Sequence, residues 1–539
     1  MRKFNDIFNG VDLTDYAPIP FWSWNNELDE KELVKQIRDM KSVGMGGFIM
    51  HARMGLTTPY LGEKWFRCVE VCLDEAKKIG MNGWIYDENG WPSGFAGGEL
   101  LKEKENLATY LKLVTGAYDK DAYCVFIRDK GGFLRVYEDC GAEKYYNVLL
   151  KYSPSNTDIL KPSVTEKFID STYEKYYERF GDRFGKELKG FFTDEPQYFR
   201  WGTPYSVELI GYFYEKYGEN VIDGLIHLFF DGEEDYPFRV RYYSAINDLY
   251  TANYYKKIYD WCVARGCGFT GHSLEEGAFY MQMWGCAGCM PSYEYETVPG
   301  IDCLGKIGDV FISARQVGSV AAQLGKKQVL TETFGCSGYD ISPRELRHIA
   351  EKQYVHGVNL MCHHLYSYSL AGQGKTDHPP CFSKHMTWWE DFPYFNEYFT
   401  RLGYILAEGK TGVNTAVLSP VTSVYLNYNV LDESAAKKVD EEFEKLRKTL
   451  SDGNIEYHII DEKILKKHGK IDGKTLSLGN CRYDYVIIPY VTNVLGSTAE
   501  ILEKYAANGG KILLYSAAPD YVDGARKRVA LSTNVTLSE

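Results

Sequence analysis

The sequence predicts an α/β protein: a (β/α)8 TIM barrel with a β-rich insertion, followed by a small doubly wound, Rossmann- or flavodoxin-like α/β domain. Three observations carry this. Short β-branched or aromatic runs alternate with long amphipathic stretches from residue 18 to about 405, the runs number eight, and the alternation restarts on a smaller scale beyond Gly409. The length of 539 residues accommodates one barrel of about 250 residues or more and a companion.

The strands read in order as IPFWSW (19–24), GGFIMHAR (46–53), GWIYDEN (83–89), GFFTDEP (190–196), GFTGHSLEE (268–276), PGIDCLG (299–305), QVLTETFG (328–335) and NLMCHHLYSYS (359–369). Amphipathic stretches at 29–43, 63–79, 163–180, 205–230 with 238–265, 308–324, 343–356 and 385–405 supply the helices, several closing on a glycine as C-caps do. Residues 101–162 break the rhythm with YCVFIRD, FLRVYED and KYYNVLL, and read as a β-rich insertion over the barrel mouth. The barrel with this insertion spans 1–408. NTAVLSP (414–420), a helix near 433–450, IEYHIID (455–461), YDYVIIPY (483–490), a helix at 497–507 and KILLYSA (511–517) form the second domain, 412–522. It presents no nucleophile elbow and few convergent charges, so it reads as a structural or oligomerisation module, which leaves a homo-oligomer open. Residues 523–539 read as a polar tail or the start of a further domain.

Composition narrows the function. Hydrophobic residues at 45% and charged residues at 25% are ordinary globular values and exclude disorder. Lys+Arg 61 against Asp+Glu 74 leaves a net charge of -13, which disfavours nucleic acid and anionic membranes as partners. The chain has no apolar run of about 18 residues to span a bilayer. Its first residues, MRKFNDIFNGVDLTDYAP, lack the apolar run of about 7–15 residues of a secretory signal. Thirteen cysteines, an odd number lodged in apolar segments such as Cys68 and Cys72, read as reduced thiols, so a cytoplasmic location is expected. Tyr 44, Phe 27 and Trp 10 bring the aromatic share to 15%, which tilts the reading toward sugars, whose C–H faces stack on rings.

In such a barrel the chemistry lies where the strands end. Those ends are polar here. Glycoside hydrolysis needs two carboxyl groups, one to protonate the leaving oxygen and one to act on the anomeric centre or its water. Glu195 and Glu332, closing strands four and seven, answer that need. An acid there is costly to bury unpaired, so it is either paired structurally or poised for chemistry. Asp194 points the opposite way from Glu195 by strand alternation, which suggests a structural role. Trp24, His51, Arg53, Asp87, Glu88, Asn89, Trp91, His272, Glu276, His364 and Tyr366 are expected to contact a glycoside or oligosaccharide substrate in a pocket closed on one side by the insertion. The Asp87-Glu88-Asn89 turn offers oxygens either to the sugar directly or to a hard cation such as calcium. No set of metal ligands is assigned. Cys286-Ala-Gly-Cys289 is half a zinc spacing without its second half, and Gly94–Gly98 lacks a phosphate-cradling lysine, so no nucleotide or organic cofactor is expected.

The strings GFIMHARMGL, WIYDENGWPSG, FFTDEP, PGIDCLG, SVAAQLGKKQVLTETFG and LYSYS together resemble glycoside hydrolase family 106, the α-L-rhamnosidase-like barrel enzymes, over roughly 18–405. The resemblance implies cleavage of α-L-rhamnosides with inversion, a calcium ion near the sugar, Glu195 as general acid and Glu332 as general base. Inverting pairs stand roughly 6.5–9.5 Å apart and retaining pairs about 5–5.5 Å. A retaining β-galactosidase-like glycosidase is the alternative, although that pattern prefers Asn-Glu where this chain has Asp194-Glu195. A catalytically weak sugar-binding barrel would have lost one of the two acids, and both are present.

Overall fold

The computed structural model describes residues 7–306, 312–410, 412–531 and 535–536. Strands β1 (Phe21–Trp24), β2 (Gly47–Ala52) and β3 (Asn82–Asn89) open the barrel. Strands β4 (Leu107–Gly116), β5 (Cys124–Asp129), β6 (Gly132–Val136) and β7 (Tyr145–Thr157) follow in the insertion. Then come β8 (Leu188–Asp194), β9 (Thr203–Tyr205), β10 (Gly268–His272), β11 (Val298–Cys303), β12 (Leu330–Thr333), β13 (Leu360–His363) and β14 (Tyr366–Ser367). The barrel sheet runs β13-β12-β11-β10-β8-β3-β2-β1-β14 and is parallel at every pairing. The fold class is therefore the expected one.

Strand eight, read as one run over 359–369, comes in two pieces, because the chain steps from one neighbour to the other. Strand β13 pairs with β12, whereas β14 pairs with β1 through Trp22↔Tyr366 and Ser23↔Ser367. Beyond that seam the Asn25 amide and the Ser369 backbone exchange two hydrogen bonds, both 2.8 Å.

Inward-facing residues fill the lumen. Phe21, Ile49, Trp84, Tyr86, Phe192, Val298, Leu330, Leu360, Cys362 and Leu365 form a buried cluster of their own, with Phe21 edge-on to Phe192 at 4.7 Å and to Tyr86 at 5.8 Å. Each such side chain contributes about 1.5–3 kcal/mol by leaving water. A second, larger cluster joins the outer strand faces to the helices.

The helices follow their local signals. Asp29 caps α1 (Glu30–Ser42) by accepting two backbone N–H bonds, and Gly80, at φ 68°, closes α2 (Glu63–Ile79) in the left-handed conformation that favours glycine. Ser342 and Glu345 form a capping box on helix Pro343–Tyr354. The stretch expected as one helix over 205–230 is broken: Gly218, at φ 70°, ends Glu208–Tyr217, and Asn220 caps a new turn at Val221–Gly224. The helix expected at 308–324 is seen from Ile312, and its residues 308–311 lie outside the described residues.

The insertion is β-rich, and none of its residues lines the opening at the carboxyl ends of the barrel strands. With β9 it forms an antiparallel sheet, β6-β5-β7-β4-β9. This sheet packs beside the barrel on the segment after β9: Phe133 and Tyr146 meet Phe230 at 4.7 and 5.4 Å, and Arg135 bridges Asp223 at 2.8 Å. Its aromatic residues find their apolar partners there.

Beyond the barrel, a parallel sheet orders residues 458–460, 415–418, 485–488, 511–514 and 535–536. Part of the expected tail thus belongs to it, since Val535–Thr536 pairs with Leu513 and Leu514. Residues 532–534 and 537–539 lie outside the described residues. This domain is keyed to the barrel by polar groups. Lys463 Nζ donates to Asp248 at 2.7 Å, Asn247 at 2.8 Å and the Ser244 carbonyl at 2.9 Å, and Asp440 accepts the Phe279 and Tyr280 N–H groups.

Candidate active site

A cavity of about 570 Å³ opens at the carboxyl ends of the strands. Arg53 and Met54 enter it after β2, Gly90 and Trp91 after β3, Asp194 and Glu195 at the end of β8, Asp302 and Leu304 at β11, Glu332 from β12 and His364 after β13. The remaining wall is the loop after β14, with Gln373, Gly374, Thr376, Asp377 and His378.

Glu195 has left the strand conformation, with φ at 44°, and its N–H is tied to the His272 carbonyl at 3.1 Å. Strand alternation therefore stops at Asp194, and both acids face the cavity. This corrects the expectation that Asp194 points away. Trp91 Nε1–H donates to Glu195 Oε2 at 2.7 Å. Burial, then the neighbouring Asp194 charge, push the Glu195 carboxyl up to about 8, against the opposing pull of His272 and the Trp91 bond. Both causes favour the protonated carboxyl.

Glu332 is treated differently. Its Oε2 meets His272 Nε2 at 2.8 Å, and His364 stands 3.6 Å from its other oxygen. Burial raises this carboxyl, while the hydrogen bond and charge of His272 pull it back. Burial works against a charged His272, but Glu332, Asp194 and Asp302 outweigh it and hold the imidazole well above its ordinary value. One imidazolium thus serves several carboxyl groups. Asp194 lies 3.4 Å from His272 and accepts the Tyr86 hydroxyl at 2.5 Å. Burial and the Glu332 charge keep Asp302 well above the carboxylate range, and its Oδ1 has no hydrogen-bond partner.

Arg53 is gripped by Asp377 through two bonds of 2.9 and 2.8 Å. A hydrogen bond with His378 at 3.2 Å, and then the pairing with Arg53, hold Asp377 well below the usual carboxylate range despite partial burial. Burial and then Arg53 keep both His51 and His364 well below ordinary histidine values, hence neutral.

Of the residues singled out in the sequence, the structure brings Glu195, Glu332, Arg53, Trp91 and His364 to the cavity, with His272 against Glu332. It does not bring the others there. Trp24 packs on Trp22 and Trp65, and His51 lies against Tyr86 behind Arg53. Asp87 accepts the Ser93 and Tyr173 hydroxyls at 2.5 and 2.6 Å. Glu88 accepts backbone N–H groups from Asn89, Gly94, Phe95, Ala96 and Gly97. Asn89 is exposed outside the cavity wall. Glu276 takes the Ser273 N–H, the Tyr293 hydroxyl and the Asp302 N–H, and Tyr366 packs toward Trp389. The reason is geometric: alternate residues of a strand end turn toward the helix layer or into their own loop, where they must be paired. No residue of 101–162 lines the cavity. Sequence reading missed Asp377 and His378, which sit in the aperiodic stretch QGKTDHPP, where Asp-His before Pro-Pro is the only cue.

The Asp87-Glu88-Asn89 turn does not fit calcium, because Glu88 is filled by five backbone N–H groups, Asp87 is buried between the Ser93 and Tyr173 hydroxyls, and Asn89 is exposed apart from them. Ligand atoms of Asp194, His272 and Glu332 lie within 4.8 Å of one another, as do those of Glu195, His272 and Asp302. Calcium takes oxygen ligands, and His272 is already engaged by Glu332, so we read these sets as a proton-sharing network.

No family model matches the chain. Among curated proteins it is similar to a protein named "Putative beta-glucuronidase" from Formosa agariphila, 23% identical over 291 residues, which is 52% of this chain and 22% of that one. The match thus spans about a fifth of that relative's length. Among solved structures it is similar to a rhamnosidase from Novosphingobium sp. PP1Y, at 13% identity and TM-score 0.72, covering 97% of this chain and 70% of that one. A β-galactosidase from Bacillus circulans sp. alkalophilus gives TM-score 0.61 at 13% identity, covering 95% and 73%. These likenesses show the fold: a (β/α)8 barrel followed by a smaller α/β domain. No helix among the described residues is long and apolar enough to cross a membrane.

Proposed function

We propose that the chain is a glycoside hydrolase in which Glu195 is the general acid and Glu332 the second carboxylate. One observation carries this reading: two carboxyl groups on β8 and β12 share one cavity, and their surroundings separate their roles. Burial and Asp194 keep Glu195 protonated, while Glu332 is paired with an imidazolium that stabilises its charge. Glu195 would hand its proton to the glycosidic oxygen as the bond breaks. Glu332, oriented by His272, would act on the anomeric carbon or on the water that attacks it. Trp91 stands half-exposed at the rim, where its ring can cover a sugar face while its N–H positions the acid.

The motifs that resemble family 106, and the likeness to a rhamnosidase fold, favour an α-L-rhamnoside cleaved with inversion. The likeness to β-galactosidases supports the second reading, a retaining β-galactosidase-like enzyme. NMR of the first-formed anomer separates the two.

Turnover of a panel of nitrophenyl glycosides, with and without a chelator, tests the whole reading. Activity on one member, unaffected by the chelator, is expected. E195Q and E332Q should each lower kcat by about 10²–10⁴-fold with a melting curve near wild type. Activity within tenfold of wild type in both variants would overturn the assignment.

A further inference from the structure

Arg53 and Asp377 face the cavity as a closed pair. Nε–H and Nη2–H of Arg53 donate to the two oxygens of Asp377 at 2.9 and 2.8 Å, the fork-to-fork geometry of a specific arginine–carboxylate pair. Nη1 meets His51 Nε2 at 2.9 Å, and Nη2 also reaches His378 Nδ1 at 3.4 Å. Three of the five guanidinium hydrogens are thereby committed to Asp377 and His51, and His378 Nδ1 closes the cluster at 3.2 Å from Asp377 Oδ1. The second cation, His272, is taken by Glu332 and Asp194. Among the described residues lining the cavity, Arg53 is the only lysine or arginine, against the acids Asp194, Glu195, Asp302, Glu332 and Asp377.

A uronic acid entering here would bring a carboxylate that can only accept hydrogen bonds. It would lose its water among acids, with no unclaimed guanidinium or ammonium to meet it. A sugar hydroxyl is in the opposite position, because it can donate to the lone pairs that Asp377 keeps free of Arg53. We propose that the site takes an uncharged glycone, and that Asp377 excludes uronic acids by occupying the Arg53 fork while offering its own oxygens to sugar hydroxyls. The proposal rests on the glycoside hydrolase reading, whose substrate class it names. It also separates this chain from the activity in its curated relative's name.

The test compares wild type, D377A and D377N on nitrophenyl α-L-rhamnoside, β-D-galactoside and β-D-glucuronide, with calorimetric titration of L-rhamnose, D-galactose and D-glucuronate alongside. Wild type should turn over a neutral glycoside at least 100-fold faster than the glucuronide. In D377A the freed Arg53 should raise the glucuronide-to-neutral ratio of kcat/KM tenfold or more, with glucuronate binding rising in parallel. D377N removes the charge but keeps the shape, should move the ratio the same way by less, and carries the comparison if D377A does not fold. A wild-type preference for the glucuronide, or a ratio unmoved in folded variants, overturns the proposal. If no glycoside is turned over, the hydrolase reading falls and titration alone decides this one. Neutral sugar bound in preference to glucuronate then upholds it, whereas the reverse order, or no sugar bound, overturns it.

Discussion

Glu195 owes its setting to one backbone torsion. At φ 44° it turns into the cavity beside Asp194 rather than away from it, and that neighbouring charge is one cause of its raised pKa. An acid catalyst works in its protonated form, so kcat/KM should fall as pH rises through about 8. The Trp91 N–H favours the ionised carboxylate. W91F keeps an aromatic face and removes that donor, so the alkaline limb should move to higher pH, read from a pH profile of kcat/KM. A limb that stays in place or moves to lower pH would show that the bond does not set this pKa. The sequence made both glutamates legible, because acids closing apolar strands stand out against their surroundings. The orientation of Asp194 was not legible, because alternation presumes extended backbone up to the last residue. Asp377 was hidden for a different reason: no periodicity marks a loop residue whose partner lies 324 positions away.

At the scale of elements, the loop after β3 is organised from within. Glu88 is wholly buried and gathers the N–H groups of Asn89 and of Gly94 through Gly97, so its carboxylate takes the place of a strand or helix in satisfying them. E88A would strip several buried donors at once, and a stability loss of about 3 kcal/mol is expected from denaturant titration. Trp91 rides on this loop, so kcat should fall with it. A variant of unchanged stability would show that water replaces the carboxylate without cost. The eight barrel strands were legible because each is a run of β-branched or aromatic residues between a helix stop and a polar end. The insertion was legible as strands but not in position, since period-two patterning says which face is apolar and not which neighbour covers it. The broken helix at Gly218 carried its signal openly, in a glycine followed two residues later by an Asn cap.

At the scale of the whole molecule, barrel and second domain are joined by charges withdrawn from water. Lys463 is mostly withdrawn from solvent, and burial holds its ammonium below the ordinary lysine range despite the facing Asp248. Removing Lys463 takes away one of the two ammonium partners of Asp248 and leaves the Ser244 carbonyl and the Asn247 amide oxygen without their donor, at a cost of about 1–3 kcal/mol. K463A should therefore lower the melting temperature of the full chain markedly while sparing the cavity, whose lining residues are all in the barrel. A melting curve like that of wild type would mean that Lys216, which also bonds Asp248 at 2.6 Å, carries the pair alone.

The barrel seam sets a waiting time. Strand β1 finds its second neighbour only in β14, and the bonds between Asn25 and Ser369 span 344 positions. At about 5–20 residues per second, a ribosome needs roughly 17–70 s to deliver that partner. Throughout that interval the Phe21-Trp22-Ser23-Trp24 edge is an open template for pairing with other chains. Nascent chains stalled before residue 366 should be cleaved readily around β1, and chains stalled well after residue 408 should be protected there. Protection in the shorter chains would mean that some other segment guards the edge during synthesis.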